Sequence, residues 1–108
     1  MTAWSPDDDA TALAEIWAEH RATTFDRVTV LDRAAAALQE GDLDDGLRLQ
    51  ARREAHTLVG SAAMFGFDDA AAIARTLEDH YGGRPTLVDA GELVRLAIHL
   101  RAALEPNG

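Results

Sequence analysis

The sequence predicts an all-α protein, folded as an antiparallel up-down four-helix bundle. Apolar residues recur every three or four positions over long stretches, which is the periodicity of helices that bury one face. Short connections between these stretches place consecutive helices antiparallel. The β-branched run Val28-Thr29-Val30 lies inside one of the helical stretches, so no part of the sequence indicates a strand.

The first helix is predicted to begin at Ser5-Pro6, because serine is a good N-cap and proline suits the first helical position. Asp8 completes a capping box with the serine, and Gly41 ends the helix. The polar stretch from His20 to Thr24 leaves two alternatives open, one long kinked helix or a short extra N-terminal helix before a long one. The predicted buried stripe is Leu13, Trp17, His20, Thr24, Val28, Leu31, Ala35 and Leu38.

The second helix is predicted to run from an Asp42 cap to a stop at Gly66. Met64, like Trp17 and Phe25, is expected to pack in the core or over its end. At about 100° per residue, the buried stripe of this helix is Leu47, Ala51, Ala55, Leu58, Ala62 and Phe65.

The third helix is predicted to start at an Asp68 cap and to stop at Gly82-Gly83. Thr86 and Asp89 have the spacing of a capping box, which starts the fourth helix. The buried stripes are Ile73, Ala74, Leu77 and Tyr81 in the third helix and Leu93, Leu96, Leu100 and Leu104 in the fourth.

Length and composition are typical of a single cytoplasmic domain that spans residues 1–108. Apolar residues make up 47% of the chain and aromatic residues only 6%, so the core is expected to consist mainly of alanine and leucine. The chain has no cysteine and no apolar run of the ~20 residues that span a bilayer. A net charge of −9 makes it a poor nucleic-acid binder, because phosphate contacts need clustered positive charge.

His56 is the candidate nucleophile. It lies in the middle of the second helix on the face opposite the buried stripe, so its imidazole is expected to be exposed. Histidine ordinarily has a pKa of ~6.5, and at neutral pH much of it is therefore an uncharged nucleophile. No pair of histidines has i, i+4 spacing and no Glu-x-x-His sequence occurs, which argues against a metal site.

The residues around His56 suit the approach of a partner protein. Gly60, one turn on, is expected to leave room for a group that approaches the imidazole. Arg52 and Arg53, on the preceding turn, form a basic strip that suits an acidic partner site or a phosphoryl group. An apolar rim suited to docking a partner helix is predicted at Leu49, Val59, Ala63 and Phe67.

The run from Ala55 to Gly66, Ala-His-Thr-Leu-x-Gly-Ser-Ala-Ala-x-Phe-Gly, resembles the signature of histidine phosphotransfer (HPt) domains, which carry phosphoryl groups in bacterial two-component relays. The Gly41-Asp42 break, the Leu77-Glu78 pair and the final leucine-rich helix also lie where that family would have them. One position departs from the resemblance. The family usually has lysine three residues after the histidine, and this chain has Val59.

The resemblance implies a phosphorelay intermediate with no ATP-dependent kinase activity of its own. His56 would accept a phosphoryl group from an aspartyl-phosphate receiver domain or a histidine kinase and pass it to a response regulator. The implied partners are a receiver domain, a histidine kinase or both, and neither nucleic acid nor a membrane. The domain itself is expected to be a monomer without a cofactor, since the metal ion of the reaction would belong to the partner's acidic pocket.

Valine at position 59 leaves three interpretations open. Arg52 or Arg53 takes over the role of the lysine, or transfer is slower, or the domain docks its partners without relaying phosphate. We favour the first. Besides the phosphorelay intermediate, two other functions stay open. One is a non-catalytic adaptor that binds a receiver or kinase domain through the same face, and the other is a purely structural bundle.

Overall fold

Four helices pack in a ring in which each contacts its neighbours in the chain and the last returns to the first. The computed structural model describes residues 6–105, with side chains from residue 11 onward, and contains no strand in that range. Its elements are α1 (Pro6–Gln39), α2 (Asp45–Met64), α3 (Asp68–Gly82), a 3₁₀ turn (Leu87–Asp89) and α4 (Ala90–Ala103). The predicted four-helix bundle is confirmed. Across residues 6–105, every helix is too short or too polar to span a bilayer.

Contacts between α1 and α2 show that the two helices run antiparallel. Arg27 pairs with Glu54 at 2.8 Å, and the ring of Trp17 lies 5.2 Å from that of Phe65. Residue numbers therefore rise along α2 as they fall along α1, as short connections require.

α1 is a single helix of 34 residues, about 51 Å long at 1.5 Å per residue. The polar stretch does not interrupt it, and the hydroxyl of Thr24 donates to the carbonyl of His20 within the helix (2.9 Å). Of the two alternatives, the continuous helix is the one present. The predicted Ser5 cap and the side chain of Asp8 lie outside what the structure describes.

The N-terminal part of α1 extends past the end of α2, and this changes which of its residues are buried. His20 and Leu13 were predicted on the buried stripe, but both are exposed. Leu13 is exposed because it lies beyond the end of α2, where α1 has no second long helix to pack on. His20 lies beside the end of α2, with its ring 6.3 Å from that of Phe65, but is not covered by it. Trp17 alone of residues 11–23 is buried, against the rings of Phe65 and Phe67.

The start of α2 lies later than predicted. Asp44 is its N-cap and accepts a hydrogen bond from the N–H of Leu47 (2.7 Å). Asp42, the predicted cap, instead takes part in ending α1, because its N–H donates to the carbonyl of Ala37 (2.8 Å). Gly41 has φ 76°, the left-handed conformation that ends many helices.

The turn between α2 and α3 is tight. Gly66 has φ 83°, and the N–H of Phe67 donates to a carbonyl in the last turn of α2 (2.8 Å). Phe67 occupies the N-cap position of α3, so Asp68 is the first helical residue rather than the predicted cap. The predicted capping box of Thr86 and Asp89 is confirmed and introduces the 3₁₀ turn before α4.

Alanine and leucine form most of the core, as the composition predicts. α2 and α3 make the most extensive contact of any two helices. Side chains at the outer edges of these two helices can therefore meet across the boundary between them. Five alanines, each at most 1% exposed, contribute to the buried faces of the two helices: Ala51, Ala55, Ala62, Ala70 and Ala74.

Tyr81, the single tyrosine of the chain, is fully buried in α3. Its hydroxyl has no hydrogen-bond partner among the described groups. Burial, and secondly the negative charge of Asp32, raises the pKa of Tyr81 from 10.0 to about 12. Since the folded state favours the neutral phenol, full stability is expected below pH 10.0. Stability then falls as the pH rises toward 12, by roughly 2 kcal/mol.

We expect an ultraviolet titration of the phenolate to give an apparent pKa about two units higher in the folded protein than in denaturant. The chain contains no lysine and no cysteine that would titrate in the same range. A Tyr81→Phe variant should therefore keep its stability over this interval. An equal alkaline loss in that variant would contradict the assignment.

Candidate functional site

His56 lies on the solvent-facing side of α2, and 75% of its side chain is exposed. Its orientation follows from the residues beside it, since Ala55 and Leu58 are completely buried on the opposite side of the helix. The imidazole is thus exposed, as the helical pattern predicts.

One nitrogen of the His56 ring is held by α3. Nδ1 lies 2.7 Å from Oε2 of Glu78, whose side chain is only 22% exposed. A carboxylate can only accept a hydrogen bond, so Nδ1 carries the hydrogen and Nε2 of the neutral ring keeps the free electron pair. The contact therefore sets the tautomer and restricts rotation of the ring, and Nε2 is the nitrogen left for chemistry.

Glu78 reaches His56 because it lies at the α2 edge of α3. Its neighbour Leu77 is completely buried, and one position around the helix from Leu77 places Glu78 at the border of the buried face. Sequence reasoning noted the Leu77-Glu78 pair but did not include Glu78 among the site residues. A carboxylate directly beside a buried leucine was the signal that could have found it.

An open groove of about 590 Å³ runs along α2 beside His56. Three of the residues predicted for the site, Leu49, Arg52 and Arg53, line it together with the histidine. Its remaining lining residues, Thr57 and Glu78, were not predicted.

Two arginines at the N-terminal side of His56, Arg48 and Arg52, lie near the end of α3. Arg48 donates from Nη1 to the carbonyls of Tyr81 (2.9 Å) and Gly83 (3.2 Å), and so caps that helix. Arg52 lies over Gly82, where a Cβ would be 3.6 Å from its Nε. Within the described residues, neither Arg52 nor Arg53 has an ion-pair partner. Their charge is available to an anion in the groove.

Gly60 has open space above it. Apart from its chain neighbours and the adjacent backbone of α2, a Cβ at this position would meet no described atom within 4 Å. Glycine inside a helix costs about 1 kcal/mol relative to alanine. Packing within the described residues gives no reason for glycine at this position.

The four residues predicted as an apolar rim differ in their exposure. Leu49 is 39% exposed and Ala63 is also exposed, whereas Val59 and Phe67 are half-buried. The ring of Phe67 packs 4.8 Å from that of Trp17. The rim is therefore partly used by the bundle itself.

Met64 contributes to the exposed surface, with 63% of the residue accessible. The prediction that it packs in the core or over its end was wrong. Phe65 takes the buried position at the end of the α2 stripe, and about 100° per residue turns Met64 outward. It lies one turn beyond Gly60 on the same side of α2.

A family model described as Hpt domain matches residues 15–105. The chain belongs to the Hpt domain family. No curated protein and no solved structure matches it. Hpt domains function in two-component phosphorelays, where they interact with receiver domains and kinases. The match covers most of α1 and all of α2, α3 and α4 of this Hpt domain.

Proposed function

We propose that this Hpt domain is a cytoplasmic phosphorelay intermediate. His56 accepts a phosphoryl group from an aspartyl-phosphate receiver domain or a histidine kinase and passes it to a response regulator. One observation carries the proposal: an exposed imidazole whose Nδ1 is held by Glu78 at 2.7 Å, while Nε2 has no partner among the described residues. A nucleophile needs this arrangement to attack a group presented by another protein.

In the transfer one bond forms, one bond breaks and no proton moves. Nε2 attacks phosphorus in line with the bond to the partner's aspartate, the N–P bond forms, the P–O bond breaks and the aspartate leaves as a carboxylate. Nδ1 keeps its hydrogen, so the phosphorylated ring is a cation whose N–H still faces Glu78. The charge-assisted hydrogen bond stabilises that cation. The reverse steps deliver the group to the next aspartate.

Removing the Glu78 carboxylate is expected to slow transfer without preventing it. In Glu78→Ala the ring loses its fixed tautomer and a charge-assisted hydrogen bond worth about 1.5 kcal/mol, which corresponds to roughly tenfold in rate. Nitrogen NMR of the His56 ring should show hydrogen on Nδ1 in the native domain and a mixture of tautomers in the variant. Glu78→Gln retains an acceptor and should keep the Nδ1–H tautomer. Unchanged ring signals in Glu78→Ala would exclude the positioning role.

Arg52 and Arg53 are proposed to balance the charge of the phosphoryl group from the N-terminal side. Replacing both with alanine should slow transfer several-fold, because exposed charge pairs each contribute about 0.2–1 kcal/mol. The effect should shrink as salt is added. The matched control removes two exposed arginines elsewhere, Arg33 of α1 and Arg95 of α4. Equal rates for the two double variants would remove Arg52 and Arg53 from the mechanism.

Partner docking is proposed at the apolar residues on the same side, Leu49 and Ala63 with the half-buried Val59 and Phe67. A partner centred on His56 would cover them, since they lie within three turns of it along α2 or just past its end. The domain is proposed to meet its partner as a monomer and as a single unit over residues 1–108.

The absence of a cation at Val59 favours one second candidate, a non-catalytic adaptor that binds a receiver or kinase domain through this face. Incubation with a receiver domain carrying labelled aspartyl phosphate separates the two. Label that transfers to the domain, and is lost in acid but stable in base, supports the relay. Binding without transfer supports the adaptor, and neither binding nor transfer overturns both.

A further inference from the structure

The phosphoryl site needs positive charge that α2 does not supply on its C-terminal side. A phosphoryl group carries about −1.5 to −2 charges at neutral pH, and the carboxylate of Glu78 on the Nδ1 side of the ring adds a further negative charge to the site. α2 offers arginines only on the turns before His56, and from Thr57 to Phe67 the sequence has no arginine, lysine or histidine. Val59, one turn after the histidine, is half-buried and uncharged.

The register of α2 and α3 identifies the residue that faces this gap. Glu78 lies opposite His56, and Gly82 lies opposite Arg52, one turn back. Because the helices are antiparallel, one turn in the other direction places Arg75 opposite Val59. It is then offset from Glu78 by about 4.5 Å along the helix axis, on the same α2 edge of α3.

Arg75 is also available to a ligand. Its side chain is exposed, and within the described residues it has neither an ion-pair nor a hydrogen-bond partner, although Asp79 lies one turn further along α3. The other basic side chain of α3, His80, faces α4 and lies 3.9 Å from Glu92. Arg75 is therefore the cation that α3 can direct toward His56.

We propose that Arg75 contacts the phosphoryl oxygens of phosphorylated His56 from the neighbouring helix, and so supplies across the α2–α3 boundary the positive charge that Val59 does not. With Arg52 and Arg53 on the opposite side, the phosphoryl group lies between cations contributed by two helices. Arginine suits this role because its planar guanidinium can donate two parallel hydrogen bonds to phosphate. The inference rests on the proposed function, since it concerns the phosphorylated state of the same site.

The test uses the full chain phosphorylated with phosphoramidate, a small donor that needs no partner protein. Phosphorus NMR then follows the titration of the phosphoryl group in the native domain, Arg75→Gln, Arg75→Lys and Arg95→Gln. Arg95 is the control, an exposed arginine on α4 without a partner in the described residues. A nearby cation favours the dianion, so Arg75→Gln should raise the pKa of the phosphoryl group by about half a unit. Arg75→Lys should restore much of the native value.

The outcomes separate this inference from the function on which it rests. Phosphorylated His56 with the same titration curve in Arg75→Gln and Arg95→Gln overturns the role of Arg75 and leaves the relay standing. A domain that takes up no phosphoryl group on His56, from phosphoramidate or from a receiver domain, overturns both. An upward shift in Arg75→Gln alone supports the inference, because a purely structural role of Arg75 would not alter the titration of a group on α2.

Discussion

Replacing His56 with glutamine is expected to abolish phosphoryl acceptance, by more than about a thousandfold, because no other group in the groove can form the N–P bond. The fold should be unaffected. The side chain is 75% exposed, and the glutamine amide can still donate to Glu78. The free energy of unfolding should therefore change by no more than about 0.5 kcal/mol. Transfer of label from a receiver domain, with chemical denaturation of the same samples, measures both quantities.

His99→Gln is the matched control, since His99 is also an exposed helical histidine but lies on α4. It should take up label as the native domain does. If acid-labile label is retained in His56→Gln and lost in His99→Gln, the acceptor is His99 and not His56. Label retained in both single variants would point to a different acceptor altogether.

A large side chain at Gly60 is expected to reduce transfer by about a hundredfold while leaving the domain folded or more stable. The space above Gly60 is open in the isolated domain, so Gly60→Gln meets no obstruction. Glutamine is also the better helix former, by up to about 1 kcal/mol. The same side chain would stand one turn from His56 where phosphorus must arrive, and small displacements of reacting atoms are costly in rate. Stability and activity should thus change in opposite directions.

Gly91→Gln provides the comparison for Gly60→Gln. Gly91 is helical, exposed and likewise free of neighbours within 4 Å, but it lies in the first turn of α4. We expect native transfer rates from this variant. If Gly60→Gln also transfers at the native rate, the open space beside His56 has no part in docking.

Much of the site was predictable because it depends on a single helix. The positions of His56, Arg52 and Gly60 relative to the buried stripe follow from the 3.6-residue period of α2, which any amphipathic helix shares. Glu78 was not predictable in the same way. Its contact joins α3 to α2 at 2.7 Å, and the helical period alone does not say which turns of two helices lie side by side.

The helix boundaries, too, were only partly predictable from the sequence. Asp42 and Asp44 are equally good N-caps by residue type, so residue type alone does not identify where α2 starts. Which aspartate caps α2 depends on how α1 ends, since the N–H of Asp42 donates to the carbonyl of Ala37 in the last turn of α1. Leu13 illustrates the same point for burial, because a periodic stripe is buried only where another helix lies against it.

The sequence by itself determined the helical class, most of the buried stripes within the bundle and the exposed imidazole, since each depends on spacing along one chain segment. Leu47, Ile73 and Leu96, predicted on those stripes, are half-buried. Only the tertiary structure decided that Glu78 holds Nδ1 of His56 and that Arg52 lies over Gly82, the two pairs from which the position of Arg75 is inferred. These pairs depend on how far α3 is displaced along α2. That displacement is set by packing of the alanine-rich faces of both helices together, and neither helix encodes it alone.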